Sequence, residues 1–204
     1  MNIKLYMDFK ERFGVKPPVK YLEKTIIAER YKEAFLEKYS NFFKKYKEKN
    51  SKTRIKQLKA FLKKLNKADS DLNWCKRVSL KFINKQVGYG VFAKCEIPPY
   101  STLHEYVGEL VPTEKLKESH DCSFSFEYFP EFCIDAMKKG NWTRFMNHCE
   151  RDDPANNVIV WEFYTKDGPH IIFTTGNKRV KKGAQLLYSY GDEYWENKTF
   201  LKLK

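Results

Sequence analysis

The chain has 204 residues, 42% hydrophobic and 16% aromatic, enough for a packed core in one domain with an extension or in two small domains. No apolar run reaches the length of a membrane span and the first ten residues lack a signal-peptide core, so no membrane contact is expected. The net charge of +13 is unevenly placed: residues 1–75 hold 20 Lys/Arg against 9 Asp/Glu, and residues 76–204 hold 19 against 17.

Glycine moves the other way, with Gly14 alone before residue 76 and eight after it. The chain is therefore expected to divide into a basic N-terminal extension, residues 1–75, and a turn-rich part, residues 76–204. The five cysteines are odd in number and form no CxxC or CxC pair. That pattern points to free thiols in a reducing compartment rather than to a disulfide frame, and no metal site is expected.

In the extension, Ile26, Ile27, Tyr31, Phe35, Tyr39, Phe42 and Tyr46 recur at steps of three and four. This spacing predicts an amphipathic helix that can begin after Pro17-Pro18. Lys49-Asn50-Ser51 reads as a break with Ser51 as an N-cap. A second helix is expected beyond it, with Ile55, Leu58, Phe61, Leu62 and Leu65 on one face and lysines around the rest. Such a pair either packs on the second part with a solvated lysine face or contacts nucleic acid or another anionic partner. Pairing of subunits into a homodimer is a further role open to it.

The second part reads as mainly β. Residues 87–94, 103–111, 157–164, 170–175 and 185–190 are β-branched or aromatic runs bounded by Gly, Pro and Asp. Lys166-Asp167-Gly168 between two of them is a hairpin signal. Ile97-Pro98-Pro99 and Val111-Pro112 end strands, because proline cannot donate to a ladder.

Two stretches carry the chemistry. Residues 141–157 place Arg144-Phe145 just before Asn147-His148, and residues 183–195 place Tyr188 and Tyr190 on one side of a short strand. Both put hydrogen-bonding groups where the chain must turn, which suggests a polar ligand beside a narrow tyrosine-lined passage. Gly88-Tyr89-Gly90 lacks the third glycine and following helix of a dinucleotide fingerprint. His148 and Cys149 are sequence neighbours whose side chains diverge in an extended segment, so no Cys-His nucleophile is expected.

In order, Gly88-Tyr89-Gly90-Val91-Phe92-Ala93, Tyr106-Val107-Gly108-Glu109, Arg144-Phe145-Met146-Asn147-His148 and Leu186-Leu187-Tyr188-Ser189-Tyr190-Gly191 match four motifs. By these the second part resembles the SET domain of protein lysine methyltransferases over about residues 78–197. With the basic extension and the YGxxYW close, the chain looks most like the small chlamydial-type bacterial SET proteins.

The resemblance implies a SET-domain fold of small curved β-sheets with a C-terminal pseudoknot, in which residues 183–191 pass beside Asn147-His148. It implies S-adenosylmethionine as cofactor and transfer of its methyl group to a lysine. Gly88, Tyr89, Gly90, Arg144, Asn147 and His148 would then line the cofactor pocket, with Trp195 over the adenine unless it serves only packing. Tyr190 would direct its hydroxyl at the reacting centre, Tyr106 would line the lysine channel, and Tyr188 would limit room for further methyl groups. Cys149 and the longer 150–153 loop depart from the family pattern, as do Gln185 and Cys122, and either Asn156 or Asn157 fills the later Asn position. The expected substrate is a basic protein such as a histone or histone-like protein, mainly monomethylated, with DNA or chromatin contact through the extension. Glu127, Glu131, Glu150, Asp152 and Asp153 are candidates for acidic character near the substrate groove. The expected location is the bacterial cytoplasm or, after secretion, a host cell and its nucleus. The alternative is a catalytically silent SET-like module that binds chromatin or nucleic acid.

Overall fold

The structure is a computed structural model that describes residues 8–49, 71–116, 123–192 and 194. The expected second helix at Ile55–Leu65 positions, Ser51, Cys122 and Trp195 lie outside the described residues. The helix α1 (Phe9–Phe13) is opened by the Asp8 side chain, which accepts from the Glu11 N–H, and closed by Gly14 in the left-handed region. The helix α2 (Lys32–Lys49) follows a 3-10 turn, and α3 (Asp71–Arg77) leads directly into the strand β3 (Val78–Asn84).

The extension differs from expectation before residue 29. Two short strands stand there, β1 (Lys20–Tyr21) and β2 (Ile26–Ile27). Ile26 and Ile27 were expected on the helical face; instead their backbone pairs in parallel with Glu109 and Leu110. The reason is tertiary: a sheet edge elsewhere offers the hydrogen bonds, and β-branched residues suit it. From Phe35 onward the helical spacing holds. Phe35 and Tyr39 are buried, and Phe35, Tyr39 and Phe42 pack on Phe129 at 5.1–6.0 Å between ring centroids. The Tyr39 hydroxyl donates to the Thr165 carbonyl at 2.7 Å. The extension thus shares one aromatic core with the rest of the chain.

The second part is mainly β, as expected. β3 pairs with β4 (Gly88–Ala93) as a hairpin. The strands β11 (Val158–Thr165) and β12 (Gly168–Thr175) form the hairpin signalled by Lys166-Asp167-Gly168, and β5 (Thr102–Tyr106) adds to it in the order β11-β12-β5. A second sheet has the order β2-β6-β8-β7, with β6 (Glu109–Pro112), β7 (Ser123–Ser125) and β8 (Phe132–Asp135). β9 (Lys139–Gly140) pairs with β1, and β10 (Asn147–His148) pairs in parallel with β13 (Leu187–Tyr188). That last pairing is the expected crossing of the C-terminal segment over the Asn147-His148 motif.

The single run expected at 103–111 is broken in two at Val107-Gly108. A Cβ on Gly108 would collide with the Asp135 carbonyl and meet Ile134 Cγ2 at 2.8 Å. Both obstacles belong to β8, which is hydrogen-bonded to β6 and cannot retreat. Gly108→Ala is therefore expected to cost about 3 kcal/mol, read as a fall in Tm of about 10 °C in thermal unfolding.

Candidate active site

The site forms where four segments meet. Asn141 starts the 3-10 turn Trp142–Phe145: its side chain accepts from the Thr143 N–H at 3.1 Å and donates to the Glu105 carbonyl at 2.8 Å. It is fully buried, and sequence reasoning gave it no role. The turn delivers Phe145 between Tyr89 at 5.7 Å and Phe9 at 5.4 Å, so the extension backs the motif directly. Arg144 Nε donates to the Ala136 carbonyl at 2.6 Å, and its guanidinium lies 4.5 Å over the Phe145 ring. These contacts fix the turn against the β8–β9 connection.

Past the turn, the chain extends as β10. Asn147 Nδ2 donates to the Tyr89 carbonyl at 3.2 Å, tying this strand to the glycine motif. His148 Nδ1 accepts from the Tyr190 N–H at 3.1 Å, and its Nε2 lies 3.7 Å from Glu150. The two motif glycines have different reasons to be glycine. Gly88 has φ +76°, with open space where a Cβ would stand. Gly90 has an ordinary φ but no room, since a Cβ would approach Gln185 Nε2 and Ile83 Cδ1 at 2.7 Å.

Only Leu187 and Tyr188 of the run expected at 185–190 are strand, and Asn157 pins the approach to them. Its Nδ2 donates to the Gln185 carbonyl at 2.8 Å, its Oδ1 accepts from Leu187 N–H at 3.2 Å, and its own N–H donates to the Leu187 carbonyl. Asn156 instead donates to the Arg151 carbonyl within the loop. Of the two candidates, Asn157 anchors the closing segment. Gln185 keeps its place there through its backbone carbonyl and an isolated bridge to Phe92.

The tyrosines converge. The Tyr190 hydroxyl donates to the Met146 carbonyl at 2.7 Å, and its ring lies 4.8 Å from Tyr188 and 5.3 Å from His148. Tyr188 is buried and also packs on Phe173 at 5.0 Å. Tyr106, buried, reaches the same cluster through Phe173 at 6.1 Å. Tyr194 adds a ring 4.8 Å from Tyr190. The lining is neutral and aromatic, with amide, imidazole and backbone groups at one end. Burial pushes the Cys149 thiol up, and Asp153 and Glu150 push it further, so it stays protonated and is no nucleophile.

The acidic candidates scatter. Glu127 N–H donates to the Glu162 carboxylate, while Glu150 and Asp153 shape the loop before Pro154. Among the described residues no group of three or more His, Cys, Asp or Glu is placed to hold a metal ion.

A mainly β chain with a C-terminal strand threaded beside an Asn-His motif, lined by paired tyrosines, defines a class of protein. The SET-domain family description matches residues 88–191, about half of the sequence, and the chain belongs to that family. Histone-lysine N-methyltransferase EHMT1 of Homo sapiens is 33% identical over 122 residues, covering 56% of this chain and 9% of its own length. Histone-lysine N-methyltransferase CLF of Arabidopsis thaliana is 29% identical over 109 residues, 50% of this chain and 12% of its own. The chain thus spans about a tenth of the length of the curated relatives it matches. Among solved structures, ctPRC2 in an autoinhibited conformation bound to S-adenosylmethionine aligns with a TM-score of 0.48 and 27% identity, over 57% of this chain and 15% of that one.

Proposed function

We propose that this chain is an S-adenosylmethionine-dependent protein-lysine N-methyltransferase whose substrate is a lysine-rich protein such as a histone or histone-like protein. The observation that carries the reading is the Tyr190 hydroxyl held on the Met146 carbonyl beside Tyr188, at the crossing of β10 and β13. Family membership and relatives named as histone-lysine methyltransferases support it. Within the family, the glycine-motif string and the YGxxYW close favour kinship with small chlamydial-type bacterial proteins, acting in the bacterium or, once exported, in a host nucleus.

When bound, the cofactor supplies a methyl group on a positively charged sulfonium. The residues present fit such a group. Aromatic faces at Tyr188 and Tyr190 favour a cation, the space at Gly88 is open, and Tyr89, Asn147 and His148 frame one end. Their task is alignment rather than acid–base work. An amine held among these rings sheds its proton to water more readily, because an apolar environment disfavours the ammonium. A strong general base is then unnecessary, which agrees with His148 Nδ1 being engaged by the Tyr190 N–H.

Incubation with labelled S-adenosylmethionine and mixed core histones tests the reading. Label on a histone that disappears with Tyr190→Phe supports it. No label and no cofactor binding by calorimetry would leave only the silent binding module.

Tyr188 makes the product sharper. Its ring is wedged between Phe173 and Tyr190, so its hydroxyl has a fixed place and takes up room a second methyl group needs. We expect mainly monomethyl-lysine, with Tyr188→Phe raising the dimethyl fraction. Mass spectrometry of the product peptide checks this, and abundant trimethyl-lysine from the unaltered chain would refute it.

A further inference from the structure

Lysines and arginines far apart in sequence meet on one side of the second part. The Lys94 N–H donates to the Arg77 carbonyl, the Gly183 N–H donates to the Ala93 carbonyl, and Ile97 bridges Val180. These bonds bring together the end of α3, the turn after β4 and the 177–183 loop. Six exposed or half-exposed cations stand there: Lys76, Arg77, Lys94, Lys178, Lys181 and Lys182. Arg179 joins them but is paired with Glu96 at 2.6 Å.

Part of this charge has structural work. Lys94 Nζ donates to the Cys75 carbonyl at 3.0 Å, closing the C-terminus of α3, and Arg77 lies 4.8 Å over Trp74. Lys76, Lys178, Lys181 and Lys182 have no carboxylate in ion-pair reach among the described residues. Residues 76–204 are nearly neutral in sum, so this local excess of cations is not a general property of the second part. Beside the patch, the Tyr100 N–H donates to the Gly176 carbonyl, and Tyr100 is 72% exposed on a backbone with φ 54°. A bulky residue held in the left-handed region with its ring in water is uncommon.

We infer that this face docks nucleic acid: Lys76, Lys178, Lys181 and Lys182 contact successive phosphates, and the Tyr100 ring lies against a sugar or base. A lysine-rich substrate is repelled by such a patch, whereas the polyanion that carries such a substrate is attracted. The inference does not depend on methyl transfer, so the two can fail separately.

The test titrates the full chain against a labelled DNA duplex of about 20 base pairs across a salt series, following anisotropy. Lys178→Gln/Lys181→Gln/Lys182→Gln should weaken binding at least about tenfold at about 0.1 M salt and flatten the log–log salt slope by about 2–3. Tyr100→Ser should weaken binding about threefold or more with the slope unchanged. A control with equal charge loss, Lys115→Gln/Lys138→Gln/Lys166→Gln, should leave the slope within about 1 of the parent. Thermal unfolding confirms that each variant folds. Equal effects of the two triple variants would reduce the patch to net charge and overturn the assignment. So would binding to vesicles of anionic phospholipid that the first triple variant abolishes while DNA binding persists.

Discussion

Tyr190→Phe should lower the rate of methyl transfer at least about 100-fold, the loss seen when one positioned hydroxyl or amide leaves a reacting centre. Fold and cofactor affinity should change little. The ring keeps its neighbours His148, Tyr188 and Tyr194, and loss of the bond to the Met146 carbonyl costs about 1 kcal/mol. Single-turnover transfer of label, beside calorimetric titration of the cofactor, separates the two effects. A rate within about threefold of the parent would show that the hydroxyl holds the end of the 3-10 turn at Met146 and does nothing for the chemistry.

Asn157→Asp carries the second large effect, and it acts through the backbone. The new carboxylate oxygen would face the Gln185 carbonyl, where Asn157 Nδ2 now donates at 2.8 Å. Two acceptors would meet and one bond would be lost, at a cost of about 2–3 kcal/mol. Because Gln185 and Leu187 lead into Tyr188 and Tyr190, activity should fall further than stability, by about tenfold or more under conditions where the variant remains folded. Asn156→Asp is the matched control. Among the described residues its side chain bonds the Arg151 carbonyl of an exposed turn, and the change should cost less than about 0.5 kcal/mol. Thermal unfolding and initial rates on both variants give the comparison; equal losses would remove Asn157 from its anchoring role.

The parts of the fold legible in the sequence are those with local signals. The period of Phe35, Tyr39, Phe42 and Tyr46 marked α2, and Lys166-Asp167-Gly168 marked the β11–β12 hairpin. What stayed hidden depends on partners elsewhere in the chain. Ile26 and Ile27 carry a helical spacing, yet Glu109 and Leu110 offer them a ladder. β3 begins beside the boundary at residue 76, and only its first residues, with Val78 and Leu80 buried, carry an alternating pattern.

The site divides in the same way. Motif order brought Asn147, His148, Tyr188 and Tyr190 together on paper, and the structure brings them together in space. The lengthened 150–153 loop hid which asparagine anchors the closing segment, because spacing cannot count residues through an insertion. Asn141 could have been suspected: a polar residue opening a turn directly before an aromatic run is an N-cap signal. Phe9 could not, since its contact with Phe145 joins residues far apart in sequence.

The parallel pairing of β10 with β13 also sets an order of events during synthesis. Asn147 and His148 leave the ribosome well before Leu187 and Tyr188, and neither strand has its partner until the later one arrives. The β11–β12 hairpin, closed by a two-residue turn, can form in the interval. Threading the last strand past Asn157 is a non-local step that closes a long loop, and such steps come late and slowly. A nascent chain therefore holds most of its core before the crossing of β10 and β13 is made.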